Sequence, residues 1–85
     1  MTDKQRQMVR DRIGLRIVAL RKVAGMSQEE LSERSGVQRS HISRIEAGRY
    51  AVHVETVQAI AEAFGMTVDL IDPALADMAP LKKLT

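Results

Sequence analysis

Residues 27–48 read SQEELSERSGVQRSHISRIEAG, two short helical patterns that meet across a glycine. Ser27 and Glu30 stand in the S-x-x-E relation of a capping box, in which the hydroxyl accepts an early backbone N–H and the glutamate reaches back to the amide of the cap residue, so a helix begins at about Gln28. Leu31 is the one large apolar residue between Gln28 and Ser35, which gives this helix a narrow buried stripe and makes it dependent on neighbours. Gly36 supplies the positive φ that a sharp turn after a helix needs, and Val37 is expected to point inward. A second helix runs from Gln38 or Arg39 to about Glu46, with Gly48 just past its end.

Ile42 and Ile45, three residues apart, fix the buried side of this second helix. At about 100° per residue, Ser40, Ser43, Arg44 and Ala47 fall on the opposite side, with Arg39 and His41 flanking it at the N-terminal end. Arginine can bond O6 and N7 of guanine, and serine can donate or accept, so such a face has the chemistry to read base edges in the major groove. Serine and arginine are also ordinary surface residues. What separates the two readings is the composite spacing: the capping box, Leu31, Gly36, Val37, Ile42 and Ile45 stand at the offsets of a helix-turn-helix.

On these residues the chain resembles the Cro/C1-type helix-turn-helix regulators over about Ile13 to Ile71, with SQEEL opening the first helix of the motif and SHISRIEAG forming the recognition helix. It departs from the usual pattern at Ser32, where alanine is common, at Gln38, where a Ser or Thr cap is common, and at Val52 and His53, which stand near the usual Pro and Ser. The resemblance implies a mainly α fold, a compact four- to five-helix repressor-like domain. It implies base contacts from Arg39, Ser40, His41, Ser43 and Arg44, and backbone contacts from Gln28, Gln38, Arg49 and Tyr50. It further implies that Arg21 and Glu46 pair across the core.

Outward from the motif, Val9, Ile13, Ile17, Leu20 and Ala24 recur at steps of four, four, three and four, one face of a long helix that ends near Gly25. Gly14 inside it costs about 1 kcal/mol against alanine, so it either permits close packing or is tolerated. Leu15 and Val18 lie on the far side, as candidates to meet the C-terminal tail or a second subunit. Residues 1–8 are polar and read as a loose arm. After the motif, Val54, Val57, Ile60, Ala61 and Phe64 form one apolar stripe of a core helix that ends at Gly65, with Phe64 expected as its largest core contribution. Residues 66–72, MTVDLID, are ambiguous. Thr67 could cap a fifth helix, but Pro73 disfavours helical geometry at Asp72 and leaves about one turn. Period-two alternation puts Met66, Val68 and Leu70 on one face of a strand, which is the preferred reading. Such a strand would pair with its copy in a second subunit. The domain is thus expected over residues 9–72, with 73–85 as a tail.

Eighty-five residues make one domain, and a chain of this size buries only about 60 to 65% of its unfolded surface, so a partner subunit would stabilise it. Net charge is +2, but residues 1–50 carry eleven Lys and Arg against six acids, net +5, and residues 51–85 carry two against five, net −3. The positive part holds the motif, as suits a protein that sets its N-terminal half on phosphates. With no cysteine there is neither a disulfide scaffold nor a cysteine zinc site, and His41 and His53 have no partners at ligand spacing. No apolar run approaches 18 residues, and the charged N-terminus does not read as a signal peptide, so the expected location is cytoplasmic, with no membrane contact. No nucleophile-elbow, P-loop or dinucleotide-binding pattern occurs, and neither an enzyme nor a cofactor is expected. The expected partners are double-stranded DNA and a second copy of the chain, for a transcriptional regulator acting as a repressor. The alternative is an antitoxin whose acidic C-terminal half holds a toxin protein.

Overall fold

The computed structural model describes residues 2–49 and 53–73. They form five α-helices in the order α1 (Asp3–Val23), α2 (Gln28–Ser35), α3 (Arg39–Glu46), α4 (Val54–Ala63) and α5 (Val68–Ile71), with no strand among the described residues. Helix α1 packs on α3 and α5, α2 on α3 and α4, and α4 on α5. Every helix contributes to a single core: Ile13 and Ile17 from α1, Leu31 from α2, Ile42 and Ile45 from α3, Val57, Ile60 and Ala61 from α4, Val68 and Ile71 from α5, with Met26 from the turn after α1.

Helix α1 begins at Asp3 instead of at about Val9, so residues 3–8 extend the helix where a loose arm was expected. The local cause is a second capping box. Thr2 Oγ1 accepts from Gln5 N at 3.1 Å and Gln5 Oε1 accepts from Thr2 N at 2.8 Å, the T-x-x-Q form of the signal at Ser27. Asp3 in the first turn and Arg21 and Lys22 in the last complement the helix dipole. Gly14 is a close-packing residue: a Cβ built there would lie 2.5 and 2.6 Å from the carbonyl oxygens of Ile45 and Glu46, so only glycine lets α1 lie directly on the last turn of α3.

The strand reading of residues 66–72 is overturned, because Val68–Ile71 is a one-turn helix. Thr67 is its extended N-cap residue, Leu70 N donates to Thr67 O at 3.1 Å and Asp72 N to Val68 O at 3.2 Å. Burial follows the three-residue step: Val68 and Ile71 enter the core and Leu70 is 55% exposed, where a strand would have put Val68 and Leu70 on one side. Pro73 has its expected local effect: Asp72 is extended, at φ −155° and ψ 129°, and the helix stops there. The paired-strand dimer has no strand to pair. Phe64 also departs from expectation. It follows the last residue of α4 and is only half-buried against the rim of the core, while Ile60 and Val57 take the interior. Leu15 is exposed as expected, Val18 is half-buried and Ala24 is exposed.

Candidate nucleic-acid interface

Helix α2 starts as its capping box dictates: Ser27 Oγ accepts from Glu30 N and Glu30 Oε1 accepts from Ser27 N, both at 3.0 Å. The Ser27 amide and hydroxyl hold the Glu30 carboxyl below the usual carboxylate range. The turn to α3 is fastened from both sides. Gly36 has φ 77°, Ser32 Oγ donates to Val37 O at 2.6 Å, and Val37 N donates to Ser35 Oγ at 3.1 Å. The hydroxyl of Ser32, one of the departures from the common pattern, thus satisfies a carbonyl of the turn. Gln38 precedes α3 at φ −57° and ψ 140° and makes no side-chain cap hydrogen bond.

Helix α3 turns Ile42 and Ile45 fully inward. Arg39, Ser40, Ser43 and Arg44 are exposed together on its outer side, with Ala47 continuing the line. His41 is half-buried, nearer the inner side than the other four candidates. Gln38 and Arg49 are exposed at the two ends of the helix, whereas Tyr50 lies outside the described residues, as do residues 74–85, which include most of the expected tail. His53 is exposed, and no cluster of three or more His, Cys, Asp or Glu able to hold a metal occurs among the described residues.

The inner side of α3 is anchored by a polar network on Glu46. Arg21 Nε donates to Glu46 Oε2 at 2.9 Å and Nη2 to Oε1 at 3.1 Å, a two-pronged contact. The remaining Arg21 nitrogen, Nη1, donates to Met26 O at 2.9 Å, and Gln28 Nε2 donates to Glu46 Oε1 at 2.9 Å. The side chains of Arg21 and Glu46 are 15% and 6% exposed. The hydrogen bonds that Arg21 donates to Glu46, with the carboxylate charge behind them, raise the Arg21 pKa above its ordinary value against the opposing effect of burial, so the guanidinium stays charged. One carboxylate therefore ties the end of α3 to α1, and through Gln28 to the start of α2. Gln28 is an expected phosphate contact. Its amide here is turned to Glu46.

Two contacts escaped the sequence reading. Arg12 donates through Nε to Asp72 Oδ2 at 3.0 Å and joins α1 to the end of α5. Gln7 Nε2 donates to Asp11 Oδ1 at 2.8 Å and to the Gly48 carbonyl at 2.9 Å, which joins α1 to the exit from α3. The Arg12 pair spans sixty positions and had no local signal. The Gln7 contact lies in the stretch expected to be a loose arm, where no apolar period signals a helix.

Residues 17–71 match the family described as "Helix-turn-helix". An immunity repressor protein of Bacillus phage phi105 is 37% identical over 59 residues, 69% of this chain and 41% of the repressor, so the chain spans about two fifths of that relative's length. An HTH-type transcriptional regulator of Sinorhizobium fredii is 35% identical over 66 residues, 76% of this chain and 86% of the regulator. Among solved structures, the restriction-modification controller protein C.AhdI from Aeromonas hydrophila superposes with a TM-score of 0.72 at 28% identity, covering 75% of this chain and 97% of that one. With the capped α2, the Gly36 turn and the anchored α3 in place, the chain belongs to the Cro/C1-type helix-turn-helix family.

Proposed function

We propose that this chain is a sequence-specific double-stranded DNA-binding transcriptional regulator, acting as a repressor in the cytoplasm. The observation that carries this reading is the division of α3 into two faces: Arg39, Ser40, Ser43 and Arg44 exposed outside, Ile42 and Ile45 fully buried inside. A reading helix must be held still to discriminate bases, and this one is fixed by apolar packing and the Arg21–Glu46–Gln28 network. Arg39, Ser40, Ser43 and Arg44 are the proposed base contacts, with His41 at their margin, and Gln38, Arg49 and Tyr50 the proposed backbone contacts. Gln28 joins these only by giving up Glu46. The names of the relatives, a repressor and a regulator, support this reading. Among the described residues no helix is long and apolar enough to cross a membrane. No observation favours a toxin partner.

Selection of binding sites from random DNA tests the reading, with Arg44→Ala as its sharpest variant. A lost bidentate guanine contact costs about 1 to 3 kcal/mol of discrimination, so this variant weakens binding to the selected site far more than to random DNA. Equal loss on both would reduce Arg44 to a phosphate contact, and recovery of no preferred sequence by the parent chain would refute sequence-specific reading. The chain is further proposed to act as a homodimer on a pseudo-palindromic site, with half-sites about 34 to 36 Å apart. Without a shared strand, the dimer draws on exposed apolar side chains, of which Leu15 and Leu70 are 68% and 55% exposed. Sedimentation at micromolar concentration checks it: a chain that stays monomeric both free and on DNA excludes the dimer.

A further inference from the structure

Residues 3–16 of α1 precede the part of the chain that matches the family, yet three of them press on the recognition helix and its exit. Gln7, Asp11 and Gly14 follow the i, i+4, i+7 spacing of one helix face. Gly14 lies against the carbonyls of Ile45 and Glu46. Asp11 lies against Gly48, which is buried with φ 70°, and a Cβ there would run into the Asp11 carboxylate. The two N–H groups of the Gln7 amide are both used, one on Asp11 Oδ1 and one on the Gly48 carbonyl, while its oxygen accepts from Arg10 Nη1 at 3.3 Å. The Gly48 carbonyl belongs to the peptide that leads into Arg49, whose own amide closes the end of α3 by donating to Arg44 O at 2.9 Å. The Gln7 side chain therefore fixes the plane of the peptide from which the exposed Arg49 side chain departs.

We propose that the first turns of α1 form a brace on the recognition helix, and that Gln7 is a positioning residue that aims Arg49 at the DNA backbone. The brace rests on the DNA-binding reading above only for its functional consequence; its structural content is independent. Gln7 is exposed apart from this contact, so its removal leaves the core intact.

The experiment has two arms. Amide hydrogen exchange on the full chain compares Gln7→Leu with the parent: exchange at the Arg49 amide is expected to quicken about fivefold or more, while the Leu31 amide in the core is unchanged. Gln7→Lys, which keeps a donor, restores the protection. In the second arm, Gln7→Leu weakens binding to the selected DNA site about fivefold in the parent background and not at all in an Arg49→Ala background, since a residue acting through Arg49 has nothing left to aim. Unchanged exchange at Arg49, or Gln7→Lys behaving as Gln7→Leu, overturns the brace whatever the DNA result. Equal loss of binding in both backgrounds overturns the action through Arg49. A parent chain that selects no DNA sequence defeats the DNA reading, and the exchange arm still decides the brace.

Discussion

Helix α1 reaches two other helices through the same chemistry, an arginine on a nearly buried carboxylate, and the two contacts differ in what surrounds them. Arg21 and Glu46 are 15% and 6% exposed, all three Arg21 nitrogens are engaged, and Gln28 gives the carboxylate a third hydrogen bond. Arg12 is 51% exposed against an Asp72 that is 6% exposed, and its second contact with the carboxylate is long, at 3.4 Å. The first pair is largely shielded from water and joins the helices of the motif along the edge of the core. The second has its cation in solvent, which screens it, and works as a tether on the end of a one-turn helix. The hydrogen bond to Asp72, with its charge behind it, raises the Arg12 pKa above its ordinary value, as Glu46 does for Arg21, so both arginines stay cationic and what separates their roles is burial and the number of hydrogen bonds around each carboxylate.

The largest effect is expected from Glu46→Ala. It strands the Arg21 guanidinium and the Gln28 amide at a nearly buried position, a loss on the order of 3 kcal/mol, which in a domain this small lowers Tm by more than about 10 °C. A thermal melt within a degree or two of the parent would remove the distinction between the two pairs. Gly14→Ala ranks next and reverses the usual rule. Replacing glycine inside a helix normally gains up to about 1 kcal/mol, but the added methyl meets two backbone carbonyls of α3, and overpacking of about 1 to 3 kcal/mol outweighs the gain. Chemical denaturation decides it: a more stable Gly14→Ala chain would mean that α1 can lift off α3 without cost, and the Arg21 contact would then be holding a loose joint.

Asp72→Asn sharpens the comparison from the weaker side. The amide keeps an acceptor for Arg12 and removes the charge, so Tm should fall by only a few degrees, with the difference shrinking as salt is raised. A loss as large as that of Glu46→Ala would show that solvent does not screen Arg12. The smallest effect belongs to Glu30. Its folded pKa is held below the ordinary glutamate value, so its contribution is present above that value and fades as pH falls through the folded pKa. Between about pH 5 and 3, the parent should lose Tm slightly faster than Glu30→Gln, which keeps an acceptor for the capping box without a charge to titrate. Parallel curves would mean that the carboxylate adds nothing to the cap.

Local chemistry made most of the motif legible before any coordinates. Ser27 with Glu30 sets where α2 starts, Gly36 sets where it turns, and Ile42 with Ile45 set which side of α3 faces in. Each signal is carried by residues a few positions apart, and all agree with one fold. The Arg21–Glu46 pairing entered through family resemblance, and its geometry in the structure explains why it suits that place. Thr2 and Gln5 carried the same kind of local signal as Ser27 and Glu30, and it was overlooked because the polar stretch around them offers no apolar stripe.

What the sequence determined by itself was therefore the helix-turn-helix and the outward set Arg39, Ser40, Ser43 and Arg44, because capping, turn chemistry and a 3.6-residue period act within a few residues. Tertiary structure alone decided the rest. Residues 66–72 fit a strand and a single helical turn about equally, and the choice fell to where Val68 and Ile71 could reach the core and Arg12 could hold Asp72. Gly14 became a site of close approach only once α3 lay across it, and Gln7 found the Gly48 carbonyl 41 positions away. Contacts between residues distant in sequence leave no period and no cap; they exist only when the chain is folded.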